Sequence, residues 1–277
     1  MGDVMREQLK EYAKESLNLI DSGIYKSSDG KSEYDIKSDI LSMCRNTKHY
    51  IKEYDDLSVD MIDLPNKEVK IMLSTKDTLE AARGQIEKFG SSCALNFASA
   101  KNPGGGFENG AKAQEEDLCY CSTLFGSLRQ EKSLYDYSRK HLNNSLYSTW
   151  TIYTPDVIVY RGRNKEIIAP VKCSIITSPA PNRNAYKGKN ADVRNAMMER
   201  CEYILQTAIK HGERNLVLGA FGCGVFGNSP MEVATIWYNL LYKKNYSRYF
   251  DVIEFAILGS EMSENYKAFK IVFIRNL

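Results

Sequence analysis

The sequence has no long apolar run, no apolar N-terminal core and no excess of charge of one sign. None of its apolar stretches approaches the roughly 18 residues of a membrane-spanning helix. The first residues lack the apolar segment of a signal peptide. Its 37 Lys and Arg residues nearly balance 35 Asp and Glu residues, so we expect no direct nucleic-acid binding. These absences predict a cytoplasmic chain without a membrane span.

Metal-ligand motifs are also missing. The seven cysteines form no CxxC pair, and the three histidines are scattered along the sequence. A zinc site is therefore not expected. An odd number of cysteines, most of them within apolar runs, is typical of buried free thiols in a reducing compartment.

What the sequence does contain is a regular alternation of apolar strands and helices. With 277 residues, 43% of them hydrophobic, the chain can bury one large core. Residues 3–21 predict an amphipathic helix, and the polar residues 22–66 predict an appendage on the core. The remaining segments predict strands at 69–73, 93–98, 157–160, 171–177, 215–221 and 252–258, and helices at 77–89, 113–129, 191–211 and 230–242. This order predicts an α/β fold with a largely parallel sheet covered on both faces.

Two glycine-rich loops follow strands of this predicted sheet. The first contains Gly104-Gly105-Gly106, and the second runs from Gly222 to Gly227. Consecutive glycines allow close approach of the backbone to another group, because no Cβ atom intervenes. Ligands of open α/β sheets bind beyond the carboxyl ends of the strands, where both loops fall. We therefore expect the two loops to line one binding site.

The second loop matches the pattern G-x-G-x-x-G of dinucleotide-binding folds. The match is weak, because it lies near the C-terminus, only one clear strand follows, and no acidic residue stands at the expected distance. A backbone-amide cradle for a diphosphate remains a good interpretation of this loop. The alternative is that these glycines only make a tight turn.

The first loop matches the P-loop pattern of NTPases only in part. Gly105 and Gly110 have the right spacing, but Ala111-Lys112-Ala113 follows in place of Lys-Ser/Thr. The lysine is one position late, and the hydroxyl that would bind magnesium is missing. The lysine and the hydroxyl that a P-loop requires are therefore not at their positions, which excludes an NTPase.

Seven residues after the triple glycine, the sequence continues with Gln114 and two adjacent glutamates. Gln114-Glu115-Glu116-Asp117 would form the first turn of a helix, where the helix dipole favours acidic residues, so a charged helix start is the simplest alternative. Neighbouring residues on a helix point about 100° apart, so Glu115 and Glu116 could reach different atoms of one ligand. A general acid needs a raised pKa, which burial or a neighbouring carboxylate would supply.

The spacing of the three glycines to Gln114-Glu115-Glu116 resembles the signature of poly(ADP-ribose) glycohydrolases. The preceding Leu95-Asn96-Phe97-Ala98-Ser99-Ala100-Lys101-Asn102-Pro103 and the second loop, with its flanking residues 219–228, are similar to the bacterial-type branch. This resemblance covers roughly residues 68–260. It implies a macrodomain-like three-layer α/β/α catalytic core at 68–277, with a mixed, largely parallel sheet, and a helical N-terminal extension at 1–67.

The resemblance also implies a role for each motif. Glu116 would be the catalytic acid that protonates the leaving oxygen of the ribose–ribose O-glycosidic bond, and Glu115 would orient the ribose hydroxyls. Phe226 would pack against the distal ribose. The implied substrate-binding residues are Asn102, Gly104, Gly105, Gly106, Gln114, Gly222, Cys223, Gly224, Val225, Phe226 and Gly227.

The substrate implied by the resemblance is ADP-ribose polymer on modified proteins, cut to ADP-ribose by a monomer that needs no cofactor and no metal. Two alternatives stay open at the level of the sequence. A related hydrolase would remove single ADP-ribose units, and a non-catalytic reader would only bind ADP-ribose. The Glu115-Glu116 pair argues against the reader, because binding alone needs no general acid.

Overall fold

The computed structural model describes residues 2–59 and 67–274, and a mixed seven-stranded sheet forms its centre. The sheet order is β3-β6-β7-β5-β8-β9-β4, and β1 and β2 form a separate two-stranded sheet. The strands are β1 (Ile24–Lys26), β2 (Glu33–Asp35), β3 (Lys48–Ile51), β4 (Lys70–Ser74), β5 (Cys93–Phe97), β6 (Trp150–Arg161), β7 (Ile167–Ser178), β8 (Asn215–Leu218) and β9 (Val252–Ala256).

Five neighbouring strands run parallel, in the order β7-β5-β8-β9-β4. Strands β3 and β6 continue the sheet in antiparallel pairing. Every residue of β8 and β9 is buried, as their mostly apolar sequences predict for strands covered on both faces. The carboxyl ends of the five parallel strands therefore meet at one edge of the sheet, and both glycine loops start there.

Helices cover both faces of the sheet. They are α1 (Gly2–Ser22), α2 (Lys37–Asn46), α3 (Thr78–Phe89), α4 (Gln114–Cys121), α5 (Leu124–Leu128), α6 (Lys132–Lys140), α7 (Asn190–Lys210), α8 (Pro230–Tyr238) and α9 (Glu264–Ile274). One apolar core joins the sheet to α7, α8 and α9, and a second joins it to α1, α2, α4, α5 and α6. The predicted three-layer α/β fold is confirmed.

The helix α3 shows how local sequence fixes an element beside the site. The Asp77 side chain accepts a hydrogen bond of 2.7 Å from the amide of Glu80, which caps the N-terminus. The helix ends at Gly90, whose φ of 83° is in the left-handed region. These two residues confirm the start and stop that the sequence predicts.

The structure differs from the sequence-based prediction at several elements. The helix predicted at 113–129 is divided into α4 and α5, because Ser122 takes an extended conformation and pairs with Val159. Strands β6 and β7 form one long antiparallel hairpin instead of two short strands. Helices α6 and α9 were not predicted.

The N-terminal segment contains the predicted helix α1 and a second helix, α2. It also contributes β3 to the edge of the main sheet, where β3 pairs with β6. The predicted domain boundary between residues 67 and 68 stays a prediction, and residues 60–66 lie outside the described ones. Over the described ranges, no helix is both long and apolar enough to cross a bilayer.

Candidate active site

A cleft of about 550 Å³ opens at the carboxyl edge of the sheet, between the first glycine loop (residues 102–110) and the second glycine loop (residues 222–227). The structure brings ten of the thirteen predicted site residues to this cleft. They are Asn102, Gly105, Gly106, Gln114, Glu115, Glu116, Gly222, Gly224, Val225 and Phe226. The other three, Gly104, Cys223 and Gly227, are not part of the lining.

The two glutamates converge beneath Gly105. Their side chains are almost fully buried, with 3% of Glu115 and 7% of Glu116 exposed. A Cβ atom on Gly105 would overlap Oε1 of Glu116 and lie 3.1 Å from Oε2 of Glu115. The φ of Gly105 is +60°, a conformation that favours glycine. Glycine at this position therefore lets the backbone close over both carboxyl groups.

The first glycine loop uses its own amides to hold this arrangement. The amide of Gly106 donates a 2.8 Å hydrogen bond to Oε1 of Glu116. The amide of Gly105 donates to the carbonyl of Asn102 at 3.0 Å. The loop therefore positions the Glu116 carboxyl group by a direct backbone contact.

The carboxyl group of Glu115 is buried away from solvent. Burial raises its pKa to about 8, while hydrogen bonds from the Ser99 amide at 2.7 Å and from Nδ2 of Asn96 at 3.3 Å act in the opposite direction. The neighbouring charge of Glu116 adds a smaller increase. The sequence analysis expected a raised pKa for the general acid, which the resemblance places at Glu116; the raised pKa is found at its neighbour Glu115, with burial as the main cause.

Gln114 ties the start of α4 to β5. Its Oε1 accepts from the amide of Phe97 at 2.8 Å. Its Nε2 donates to the carbonyl of Leu95 at 2.8 Å and to the hydroxyl of Thr78 at 3.0 Å. These bonds fix the position of the helix that carries both glutamates. The role of Gln114 as a substrate ligand stays a prediction.

The second glycine loop presents free backbone amides. Among the described residues, no group accepts a hydrogen bond from the amides of Gly224, Val225 or Phe226. A Cβ atom on Gly224 would meet nothing within 4 Å, and 83% of Val225 is exposed. Asn228 holds the loop by donating from Nδ2 to the carbonyls of Gly222 and Pro181, both at 2.9 Å. Such a run of amides can bind an anion.

The three predicted residues outside the lining face the protein. A Cβ atom on Gly104 would lie 2.7 Å from the ring of Phe125, and one on Gly227 would overlap the side chain of Asn184. Cys223 is a free thiol whose pKa burial raises to about 12. These three residues shape the loops from behind, and their assignment as substrate ligands stays a prediction.

Eight lining residues were missed by the sequence analysis: Phe97, Ala98, Ser99, Asn109, Ala113, Ala180, Ala220 and Phe221. Seven of them lie within the quoted motif segments or between Gly106 and Gln114, where the sequence analysis gave them no role. Ala180 follows β7, and the rule that ligands bind beyond parallel strand ends would have indicated it.

A second lobe of about 380 Å³ continues the cleft past Gly224. The two lobes share Phe97, Ala113, Gln114, Ala220 and Gly224. Polar side chains of Asp77, Thr78 and Asn265 line the second lobe, beside apolar residues that follow β9. Burial raises the pKa of Asp77. Over residues 2–59 and 67–274, no cluster of three His, Cys, Asp or Glu side chains is placed to hold a metal ion.

Comparisons with known proteins agree with this geometry. The family model of the microbial-type poly(ADP-ribose) glycohydrolase catalytic domain matches residues 13–162. A poly(ADP-ribose) glycohydrolase structure from Thermomonospora curvata is 33% identical, with a TM-score of 0.90, and the match covers 96% of this chain and 100% of that one. The structure of the same enzyme bound to the inhibitor ADP-HPD is 32% identical, covers 98% and 100%, and has a TM-score of 0.86.

A poly(ADP-ribose) glycohydrolase from Deinococcus radiodurans in complex with ADP-ribose is 33% identical, covers 85% of this chain and 97% of that one, and has a TM-score of 0.77. A search of curated proteins found no match. The fold and the cleft, with these matches, define a macrodomain-like glycosidase. The chain belongs to the microbial-type poly(ADP-ribose) glycohydrolase family, and its function is the hydrolysis of poly(ADP-ribose).

Proposed function

We propose that Glu116 is the general acid that breaks the ribose–ribose O-glycosidic bond of the polymer. It protonates the leaving ribose oxygen while the bond opens through an oxocarbenium-like state; a water molecule then adds to C1 of the distal ribose and returns a proton to the Glu116 carboxylate. The observation that carries this assignment is the convergence of two buried glutamates beneath Gly105, with the Glu116 carboxyl group fixed by the amide of Gly106. This carboxyl group lines the cleft, so it is within reach of a bound substrate.

Glu115 binds the hydroxyls of the distal ribose in this mechanism. Its raised pKa, near 8, keeps a large share of this side chain neutral at neutral pH. A neutral Glu115 can both donate and accept hydrogen bonds, as a sugar hydroxyl requires.

The diphosphate lies on the second glycine loop. The free amides of Gly224, Val225 and Phe226 would donate to its oxygens, and Phe226 would contact the distal ribose. The adenosine then extends into the second lobe, because Gly224 lines both lobes. In this lobe the side chains of Asp77 and Asn265 are available to the base or its ribose.

The remaining features of the proposal concern the reaction outside the cleft. The enzyme acts as a monomer in the cytoplasm on polymers attached to modified proteins, and it needs no metal. Light scattering on a sizing column tests the monomer, and turnover in excess EDTA tests the metal.

Removal of a single ADP-ribose unit is the second activity that the same acid could support, and mono-ADP-ribosylated protein as substrate separates the two.

The decisive test of the mechanism is Glu116→Gln. The variant should lose hydrolysis of labelled polymer by about 10²–10⁴-fold, the usual contribution of a general acid. ADP-ribose affinity, measured by calorimetry, should stay within a few-fold of the unmodified protein. Near-normal turnover would contradict the role of Glu116. The matched control is Glu108→Gln, because Glu108 is an exposed glutamate of the first glycine loop.

A further inference from the structure

A second groove of about 710 Å³ lies beside the catalytic cleft, between α6, β3 and α7. We call it the α6 groove, and its lining includes Lys52, Tyr137, His141, Tyr147, Ser148 and Glu199. On one side the ring of Tyr147 lies 6.2 Å from the ring of Phe226, which lines the cleft. On the other side Arg139 of α6 donates a 2.6 Å hydrogen bond to the carbonyl of Lys101, next to Asn102 of the cleft. The groove and the cleft therefore meet at the Tyr147–Phe226 ring pair.

Aromatic rings form one side of the α6 groove. The rings of Tyr137 and His141 are stacked, with centroids 4.0 Å apart and planes 25° apart. Tyr54 packs edge-on against Tyr137 at 6.0 Å, and 66% of Tyr54 is exposed. The half-buried ring of Tyr137 and the exposed ring of His141 are the kind of aromatic surface on which nucleobases stack.

The groove also contains a polar atom without a partner. The Ser148 hydroxyl is buried, and no group among the described residues forms a hydrogen bond with it. Ser148 as a whole is 9% exposed. Because an unpaired buried hydroxyl is costly, this position favours a ligand that carries a hydrogen-bonding group.

The floor of the α6 groove has a strained backbone. Four residues other than glycine have positive φ values, from 45° to 74°: Asn143, Asn144, Ser145 and Tyr147. The fully buried Arg200 holds this segment by donating from Nη2 to the carbonyls of Leu146 and Tyr147, both at 3.4 Å. Strain held in place in this way is typical of ligand-binding segments.

We propose that the α6 groove binds the adenine of the second ADP-ribose unit, the unit whose ribose leaves when the polymer is cut. In the scissile bond, the distal ribose of the terminal unit is joined to the adenosine ribose of the next unit. That adenine is therefore one sugar away from Glu116. The α6 groove adjoins the cleft where Tyr147 packs against Phe226, and its rings and unpaired Ser148 hydroxyl suit a nucleobase.

This inference rests on the proposed function, and its test compares two substrates. One is the ADP-ribose dimer, whose leaving group carries adenine. The other is ADP-ribose joined through its distal C1 to an aryl alcohol, whose leaving group has no adenine. Tyr137→Ala and the exposed His141→Ala should raise KM for the dimer about tenfold, the scale of base stacking on one aromatic ring. The same variants should leave KM for the aryl substrate and the Kd for ADP-ribose within twofold.

The control is Tyr242→Ala, because Tyr242 is also half-buried and pairs with another ring, Tyr238, away from the cleft. An unchanged KM for the dimer in the His141→Ala variant, with its melting temperature preserved, would overturn the α6 groove as a subsite. Equal losses on both substrates would also overturn it, because they indicate general damage. Failure of the unmodified protein to cut the dimer would instead refute the proposed function.

Discussion

The two glycine loops line one cleft but use their backbones in different ways. In the first loop, the amides of Gly105 and Gly106 bind protein atoms, one of them the Glu116 carboxylate. In the second loop, the amides of Gly224, Val225 and Phe226 have no partner among the described residues. Glycine in the first loop allows protein to approach protein, and glycine in the second allows a ligand to approach protein. Similar sequence composition therefore serves the proposed catalytic acid on one side and the proposed diphosphate site on the other.

This division also appears in the surroundings of the loops. The first loop is packed from behind, because Gly104 contacts Phe125 and α1 lies against Gly110 through Arg6. The second loop is largely exposed, and the side chains of Asn228 and Asn184 hold it to the loop after β7. Substitutions in the first loop should therefore change turnover and stability together. Substitutions in the second loop should change affinity with little cost in stability.

The largest effect is expected for Gly105→Ala. Its Cβ atom would overlap the Glu116 carboxylate, and the positive φ adds strain of about 1 kcal/mol. We expect kcat for polymer to fall at least about 100-fold, the loss that follows when a general acid is displaced. The melting temperature should fall as well. Normal turnover in this variant would contradict the role assigned to the first loop.

The second largest effect is expected for Gly224→Val. Its side chain meets no protein atom within 4 Å of the Cβ position, so it should project into the site and leave the fold intact. We expect the Kd for ADP-ribose to rise about 10- to 100-fold by calorimetry, at an unchanged melting temperature, because displacing a ligand from several charge-assisted hydrogen bonds costs about that much. Val225→Ala is the matched control, since it keeps the backbone amide. Unchanged affinity in Gly224→Val would show that the second loop does not hold the diphosphate.

The sequence predicted the parts of this comparison that depend on order along the chain. The alternation of strands and helices placed both loops at one sheet edge, and the seven-residue spacing identified Glu115 and Glu116. The sequence could not show that Gly104 packs against the ring of Phe125, because only the fold brings these two residues together. Nor could it predict the α6 groove. The positive φ of Tyr147 occurs where the buried Arg200 donates to the Tyr147 carbonyl, a contact that local sequence preference does not reveal.

A different effect, a change of stability with pH, is expected from the buried Glu115. Its pKa in the folded protein is near 8, above the ordinary value of 4.5, so the folded state binds this proton more tightly than the unfolded chain. The resulting stability is fully present below about pH 4.5 and is lost as the pH rises through 8. Glu115→Gln should therefore gain stability relative to the unmodified protein between pH 5 and pH 9, on the order of a few kcal/mol. A stability difference that is constant over this range, in denaturant titrations, would refute the raised pKa.

The smallest effect is expected for Asn228→Ala, which tests how the second loop is held. Its side chain is 5% exposed and donates to the carbonyls of Gly222 and Pro181. Removing both bonds should cost about 1–3 kcal/mol of stability and should loosen the loop without blocking it. We expect the Kd for ADP-ribose to rise only a few-fold, with kcat unchanged at saturating polymer, because the first loop still positions Glu116. A fall in kcat as large as that of Gly105→Ala would mean that the two loops act as one unit.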